Sequence, residues 1–412
     1  MKYANSLKYM NSFATAEDSA DISLKRVRDL CEGLGRINIG ISCIVLPKSA
    51  AAHACALMLE AVIKNAGYNV GRITSHSDYD SRSCVFINRE IPSIEDYNKC
   101  VGEIKNIIKR FPDESFSKQE ISFTLSLLLC RMADCKYVIL EGLGEDGMNF
   151  DAICAPYDLI VVPTVYDTGH AEEKIKISCE TIRRGTREVI SGNQRSDIYN
   201  KISNACAMSG VRLYIPAKAQ FEILEASPRK LSFSYGGRDS YMLRSPSYML
   251  RDCSITVIEA ALAIRRAGVK LPWGAITSGL SEIIDSGCFD MISASPRIIC
   301  DSAETKEELE LVLKTSDELW GIGDISLCAD ARHLSADSLA AFSERKINRI
   351  IAISDKDIDI NIPNVDSVVI CKGVKEAVKE IKATCSNENL LCFGGVSFCA
   401  SLKKEYSDQM GL

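Results

Sequence analysis

Short apolar runs alternate with longer helical stretches along this chain, and that alternation limits the folds open to it more than any other feature. Ile39–Pro47 (IGISCIVLP) reads as a buried strand. Ser49–Ala66 follows as a helix, with Cys55, Met58, Leu59, Val62 and Ile63 on one face at helical spacing. Gly67 stands where a helix C-cap belongs, and YNVGRIT opens the next strand. Strand, helix and strand within about 35 residues make a βαβ unit, which requires a parallel sheet covered by helices. The pattern then repeats. Gln119–Ala133 is expected to be a helix, with buried strands at Lys136–Glu141 (KYVILE) and Asp158–Thr164 (DLIVVPT). Helices are expected at Ser196–Ser209 and Cys253–Ala267, and between them FEILE, LSFSY and YMLR alternate as antiparallel strands do.

An irregular stretch near Ser286–Pro296 precedes a fresh βαβ series. There PRIICD, NRIIAIS, DSVVICK and NLLCFGG read as strands, and Thr305–Thr315, VKEAVKEIKA and SFCASLKKEY as helices. The expected layout is therefore two domains, residues 1–290 and 291–412. Lys plus Arg number 49 and Asp plus Glu 55, a formal charge of −6, which leaves no electrostatic footprint for nucleic acid or an anionic membrane surface. The start, MKYANSLKYMNSF, lacks the apolar core of a signal peptide, and no run of 18 apolar residues occurs. The 18 cysteines include no Cys-x-x-Cys pair, and Cys130 and Cys135 are the nearest two. They read as reduced core thiols of a soluble cytoplasmic protein.

In a parallel α/β sheet ligands bind at the carboxyl ends of strands, so two turns come first. The first runs from Pro47 to Cys55. It has the strand–loop–helix form of a phosphate cradle, but it holds no glycine, and its only lysine, Lys48, comes early. The residues read as an ordinary βα turn whose bare helix N-terminus still attracts an anion. The second turn, Glu141-Gly142-Leu143-Gly144-Glu145-Asp146-Gly147, matches G-x-G-x-x-G, yet the segment after it shows no helical period and carries Pro156. Glu141 ends a buried strand, where a carboxylate either holds Mg²⁺ or caps loop N–H groups. His53, His76, His170 and His333 have no zinc-ligand spacing and read as surface or loop residues.

Several stretches together resemble folylpolyglutamate synthase (dihydrofolate synthase), a branch of the Mur ligase superfamily. They are MKYANSLKYMNS, SLKRVRDLCEGLG, AGYNVGRITS (Ala66 to Ser75), KYVILEGLGEDG and Gly279 to Glu304. The resemblance spans nearly the whole chain. It implies an α/β fold: a P-loop-NTPase-like central Mur ligase domain with a mostly parallel sheet, plus a smaller Rossmann-like C-terminal domain. It also implies a reaction in which ATP phosphorylates a folate carboxylate and glutamate then displaces the phosphate, using a P-loop, Mg²⁺ and a carbamylated lysine.

Position by position, that equipment is largely replaced. The family's Gly-Thr-Asn-Gly-Lys-Gly-Ser loop falls on Lys48 to Ala54, so its lysine becomes Ala52 and its hydroxyl becomes Ala54. The Ser-Pro-His segment becomes Ser75-His76-Ser77, while the metal-binding glutamate is kept as Glu141. An Asp-His pair becomes Asp167-Thr168, and the carbamylated lysine's segment becomes Ile182-Arg183-Arg184-Gly185. A guanidinium stays protonated and cannot be carbamylated. The His-Gln pair becomes Tyr248-Met249, Trp-Pro-Gly-Arg becomes Asp285-Ser286-Gly287-Cys288, and Asp-Gly-Ala-His-Asn becomes Asp301-Ser302-Ala303-Glu304-Thr305.

A retained fold with a dismantled ATP site implies a catalytically inactive paralogue. Such a protein acts by binding a small metabolite in an interdomain cleft or a protein partner, and the resemblance implies a monomer. The alternative is an active ATP-dependent amide ligase with a rebuilt site. There Lys48 and the helix starting at Ser49 hold phosphate with Asp301 in the nucleotide site, Glu141 and Asp167 hold Mg²⁺, and Arg183 or Arg184 supplies charge at the carbamate position. Mg²⁺ and ATP are cofactors only under that second reading.

Overall fold

The computed structural model describes the chain except residues 1, 15–19, 75–80, 143–149, 167–170, 184–185, 284–286, 322, 356–364, 386–387 and 411–412. It divides into two compact units, one of residues 1–165, 170–219 and 252–283, the other of residues 166–169, 220–251 and 284–412.

The chain opens with α1 (Tyr3–Met10), α2 (Ala20–Gly33), β1 (Ser42–Leu46), α3 (Ala50–Asn65), β2 (Val70–Thr74), β3 (Val85–Ile87), α4 (Ile94–Ile108) and α5 (Lys118–Met132). Next come β4 (Tyr137–Glu141), β5 (Leu159–Val162), α6 (Ala171–Arg183), β6 (Glu188–Ser191), α7 (Ser196–Ser209) and β7 (Arg212–Tyr214). Then follow β8 (Phe221–Ser227), β9 (Lys230–Tyr235), β10 (Arg238–Leu243), α8 (Tyr248–Arg266) and α9 (Trp273–Ser281). The chain continues with β11 (Asp290–Ala294), β12 (Arg297–Asp301), α10 (Lys306–Trp320), β13 (Ile325–Asp330), α11 (Ala336–Ala340) and β14 (Ile347–Ile353). It closes with β15 (Val365–Cys371), α12 (Val374–Thr384), β16 (Leu390–Phe393) and α13 (Val396–Met410).

The first unit is built on a seven-stranded sheet in the order β3-β2-β4-β1-β5-β6-β7. Every neighbouring pair in it is parallel except β2 with β3. Strands β4 and β5 are buried along their whole length, as continuous apolar runs must be when helices cover both faces of a parallel sheet. Beneath the sheet lies a core that includes Val45, Ile73, Tyr97, Leu127, Val138, Leu140 and Ile160.

The second unit holds a three-stranded antiparallel sheet, β10-β9-β8, and a six-stranded sheet in the order β11-β12-β16-β13-β14-β15. The six-stranded sheet is parallel apart from β11, and it packs separate apolar layers on its two faces. This is the mixed architecture expected of the chain, a mostly parallel sheet with a further α/β part.

Helix α3 lies within a residue of its expected span, and Gly67 beyond it takes φ +88°, the left-handed turn that a glycine after a helix adopts cheaply. Two ends need correction. The first strand begins at Ser42 rather than Ile39, because Gly40 turns left-handed at φ +83° and Ile39 is exposed. The helix expected from Cys253 begins at Tyr248.

Candidate functional site

Parallel register places three carboxyl ends side by side in the first unit. Leu46 of β1 and Thr74 of β2 both align with Glu141, the last residue of the intervening β4. Arg72 aligns with Ile139, and side chains two apart on a strand share a face, so Arg72 and Glu141 face the same way. Helix α3 packs against β2 and β4. His53 and Glu60 on that helix are seven residues apart, two turns along one stripe.

These four side chains form one network. The Arg72 Nε–H donates to Glu60 Oε2 (2.8 Å) and an Nη1–H donates to Glu141 Oε2 (2.6 Å). His53 Nδ1 lies 2.7 Å from Glu141 Oε1, and the ionised carboxylate is an acceptor only, so Nδ1 carries the proton. Glu60 Oε1 accepts the backbone N–H of Arg89 (2.7 Å). The guanidinium also stacks 4.4 Å from the ring of Phe86, its cross-strand neighbour on β3. The side chains of Arg72 and Glu60 are 4% and 0% exposed, so this ion pair is inside the protein, whereas His53 is half-exposed.

Burial by itself pushes the Glu141 carboxyl up. The hydrogen bond and charge of His53, followed by the charge and hydrogen bond of Arg72, outweigh it and hold the group below the usual carboxylate range. Arg72 is pushed the other way. Desolvation lowers it, but Glu141 and Glu60 overcome that and keep the guanidinium firmly charged.

A divalent cation at Glu141 fits this arrangement poorly. Both carboxylate oxygens already face cationic or N–H donors. A divalent ion ~4 Å from a guanidinium meets roughly 8 kcal/mol of repulsion at an effective dielectric near 20, cancelling the pull of one carboxylate at that distance. Among the described residues no group of three or more His, Cys, Asp or Glu side chains is placed to hold a metal ion.

The first turn, read from the sequence as an ordinary βα turn, follows β1, one strand over. Ser49 is the N-cap of α3 in extended conformation, yet its side chain makes no capping hydrogen bond, and its Oγ is buried without a partner among the described residues. Ala52 and Ala54 are 2% and 0% exposed, so both methyls point into the core. Lys48 is half-buried.

Asp301, at the end of β12 in the second unit, accepts the backbone N–H groups of Phe289 (2.7 Å) and Ala303 (2.9 Å) and so closes a turn. Tyr248 donates its hydroxyl to Glu318, with the Arg251 guanidinium stacked 4.2 Å above its ring. His333 stands 3.8 Å from Glu304. Ser75-His76-Ser77, Asp167-Thr168, His170, Arg184-Gly185 and Asp285-Ser286 lie outside the described residues. Arg183 is the last residue of α6, and its side chain also lies outside them.

The structure thus unites Glu141 with Arg72 and Glu60, which the sequence reading passed over, and with His53, which was read as a surface or loop residue and stands half-exposed on α3. A signal for them was present, because a charged residue in the middle of an apolar strand (VGRIT) or on the apolar stripe of a helix needs a buried partner.

The chain is thus an α/β protein of two compact units, each containing a mostly parallel sheet. No protein-family model matches the sequence, and no curated protein sequence matches it. Solved structures do match: the chain has the fold of the folylpolyglutamate synthases. The apo form of L. casei FPGS superposes with a TM-score of 0.79 at 15% identity, covering 98% of this chain and 99% of that one. E. coli FolC in complex with DHPP and ADP gives 0.75 at 19%, covering 100% and 99%. The bifunctional folylpolyglutamate synthase/dihydrofolate synthase of Yersinia pestis, complexed with AMPPNP and Mn ion, gives 0.73 at 17%, covering 100% and 98%. At these identities the likeness is one of fold.

Proposed function

We propose that this protein is a folylpolyglutamate synthase-like member of the Mur ligase superfamily that has given up ATP-dependent ligation and acts by binding a small metabolite or a protein partner. The observation that carries this reading is the burial of Ala52 and Ala54. Phosphoryl transfer needs an ammonium and a hydroxyl-held metal at the phosphates, and these positions offer two methyl groups turned into the core. A missing phosphate lysine alone removes several kcal/mol of transition-state stabilisation. The glycine-free loop also presents fewer approachable backbone N–H groups than a phosphate cradle needs. The ligases with the same fold supply the comparison: one is complexed with ADP and another with AMPPNP and Mn ion.

The test is calorimetric titration of the purified protein with Mg·ATP, with an intact ligase of this fold as control. No heat of binding up to millimolar ATP is expected, together with no ATP-dependent joining of glutamate to a folate carboxylate. Micromolar binding with glutamate ligation would overturn the proposal, and loss of that binding in Lys48→Ala would locate a rebuilt site in the first turn.

A further inference from the structure

We propose that Arg72 is a built-in cation that takes the place of a divalent metal at the carboxyl edge of the first sheet, so that Glu141 serves as its counter-ion and the edge works without Mg²⁺. The inference deepens the binding reading above and rests on it.

Three geometric facts support it. First, the guanidinium is fixed by two carboxylates and a ring rather than left to sample solvent: Nε to Glu60 at 2.8 Å, Nη1 to Glu141 at 2.6 Å, and the Phe86 ring at 4.4 Å. Second, the pair is buried, with Arg72 4% and Glu60 0% exposed. A charge in that position is tolerated only when paired, so the arginine cannot swing aside to admit an ion at Glu141 without leaving the buried Glu60 carboxylate without its cation. Third, the remaining Glu141 oxygen is held at 2.7 Å by His53 from the first turns of α3, which closes the side of the carboxylate away from Arg72. A guanidinium offers a fixed fork of N–H donors and a permanent charge. A metal ion instead offers open coordination positions that a substrate can enter and a charge that depends on the ion being bound. An edge built on Arg72 therefore keeps its positive centre at all times but loses the open positions through which a metal would activate phosphate oxygens.

Mn²⁺ titration followed by electron paramagnetic resonance tests this directly, because the free-ion signal disappears on binding. The wild-type protein is expected to leave that signal undiminished up to millimolar Mn²⁺. Arg72→Met, which frees Glu60 and Glu141 to face a common space, is expected to take up Mn²⁺, and adding Glu141→Gln to that variant should weaken uptake at least about tenfold. Arg72→Met/Glu60→Gln leaves a single carboxylate beside His53 and serves if the first variant does not fold.

Mn²⁺ binding by the wild type that is lost in Glu141→Gln would overturn the proposal. Folded Arg72 variants that take up no Mn²⁺ would also overturn it, since Arg72 would then be an internal ion pair only. The two readings fail separately. Metal-free ATP binding with ligation would sink the binding-only function and leave Arg72 in place, whereas Mn²⁺ uptake at Glu141 without any ligation would do the reverse.

Discussion

Removing the Arg72 side chain leaves Glu60 and Glu141 buried without their cation, and an unpaired buried charge costs far more than a surface ion pair contributes. Arg72→Met is therefore expected to lower unfolding stability by about 3–5 kcal/mol, read from urea denaturation. Lys230→Met, which breaks an exposed contact with Glu225, should change it by less than about 1 kcal/mol. The Glu141 carboxyl gives the same network a pH signature. Its folded pKa lies below the ordinary 4.5, so its contribution is present above that value and is lost as pH falls through the folded pKa. The stability gap between wild type and Glu141→Gln should then narrow as pH drops from about 5 toward 3. A gap that stays constant over that range would mean the ionised carboxylate carries none of it.

Between elements, close approach decides what a position tolerates. A methyl group at Gly279 of α9 would meet Val62 of α3 at 2.6 Å on the side chain and 2.7 Å at the backbone nitrogen, which cannot give way. Gly274, on the same helix, has nothing within 4 Å of where a Cβ would stand. Gly279→Ala should therefore destabilise by about 1–3 kcal/mol or more through overpacking. Gly274→Ala should be neutral or stabilising by up to about 1 kcal/mol through helix propensity. Equal melting shifts for the two would contradict the packing of α3 on α9. Elements with a strong apolar period, such as α3, α5 and β4, are legible from sequence almost to the residue. Strand β13 is not singled out, because its small residues Ser326, Cys328 and Ala329 give a weak apolar run although it lies buried in the middle of a sheet.

Across the whole molecule the cysteines behave as small apolar residues. All but Cys84 and Cys179 of the 18 are buried. Burial pushes the thiols of Cys31 and Cys100 up to about 12 and those of Cys206 and Cys371 up to about 11, away from the reactive thiolate. A disulfide-exchange reagent at neutral pH should label at most Cys84 and Cys179 in the native protein and all 18 once it is denatured. Rapid native labelling of the remainder would show that these cores open. Residues 220–251 group with the C-terminal residues although the chain returns to the first unit at residue 252. Composition changes little along the sequence and carries no mark of such a discontinuous division.

Most of the longer strands and helices, though not β3, β6, β7, β11 or β13, and the parallel character of both large sheets are legible in the sequence alone. All of these follow from local periodicity and from which residue types stand at each position. Long-range contact decided the rest. Glu141 stands 69 residues from Arg72, and only the register of β2 on β4 and the seating of α3 bring it together with Arg72 and Glu60. The tetrapeptide YMLR makes the point locally. At Tyr241–Arg244 it enters β10, where Tyr241, Met242 and Leu243 pair with β9; at Tyr248–Arg251 it opens α8. Four identical residues carry identical propensities, so the choice lies with what packs against them. In the first copy that is a partner strand. In the second it includes the Glu318 carboxylate, which binds both Tyr248 and Arg251.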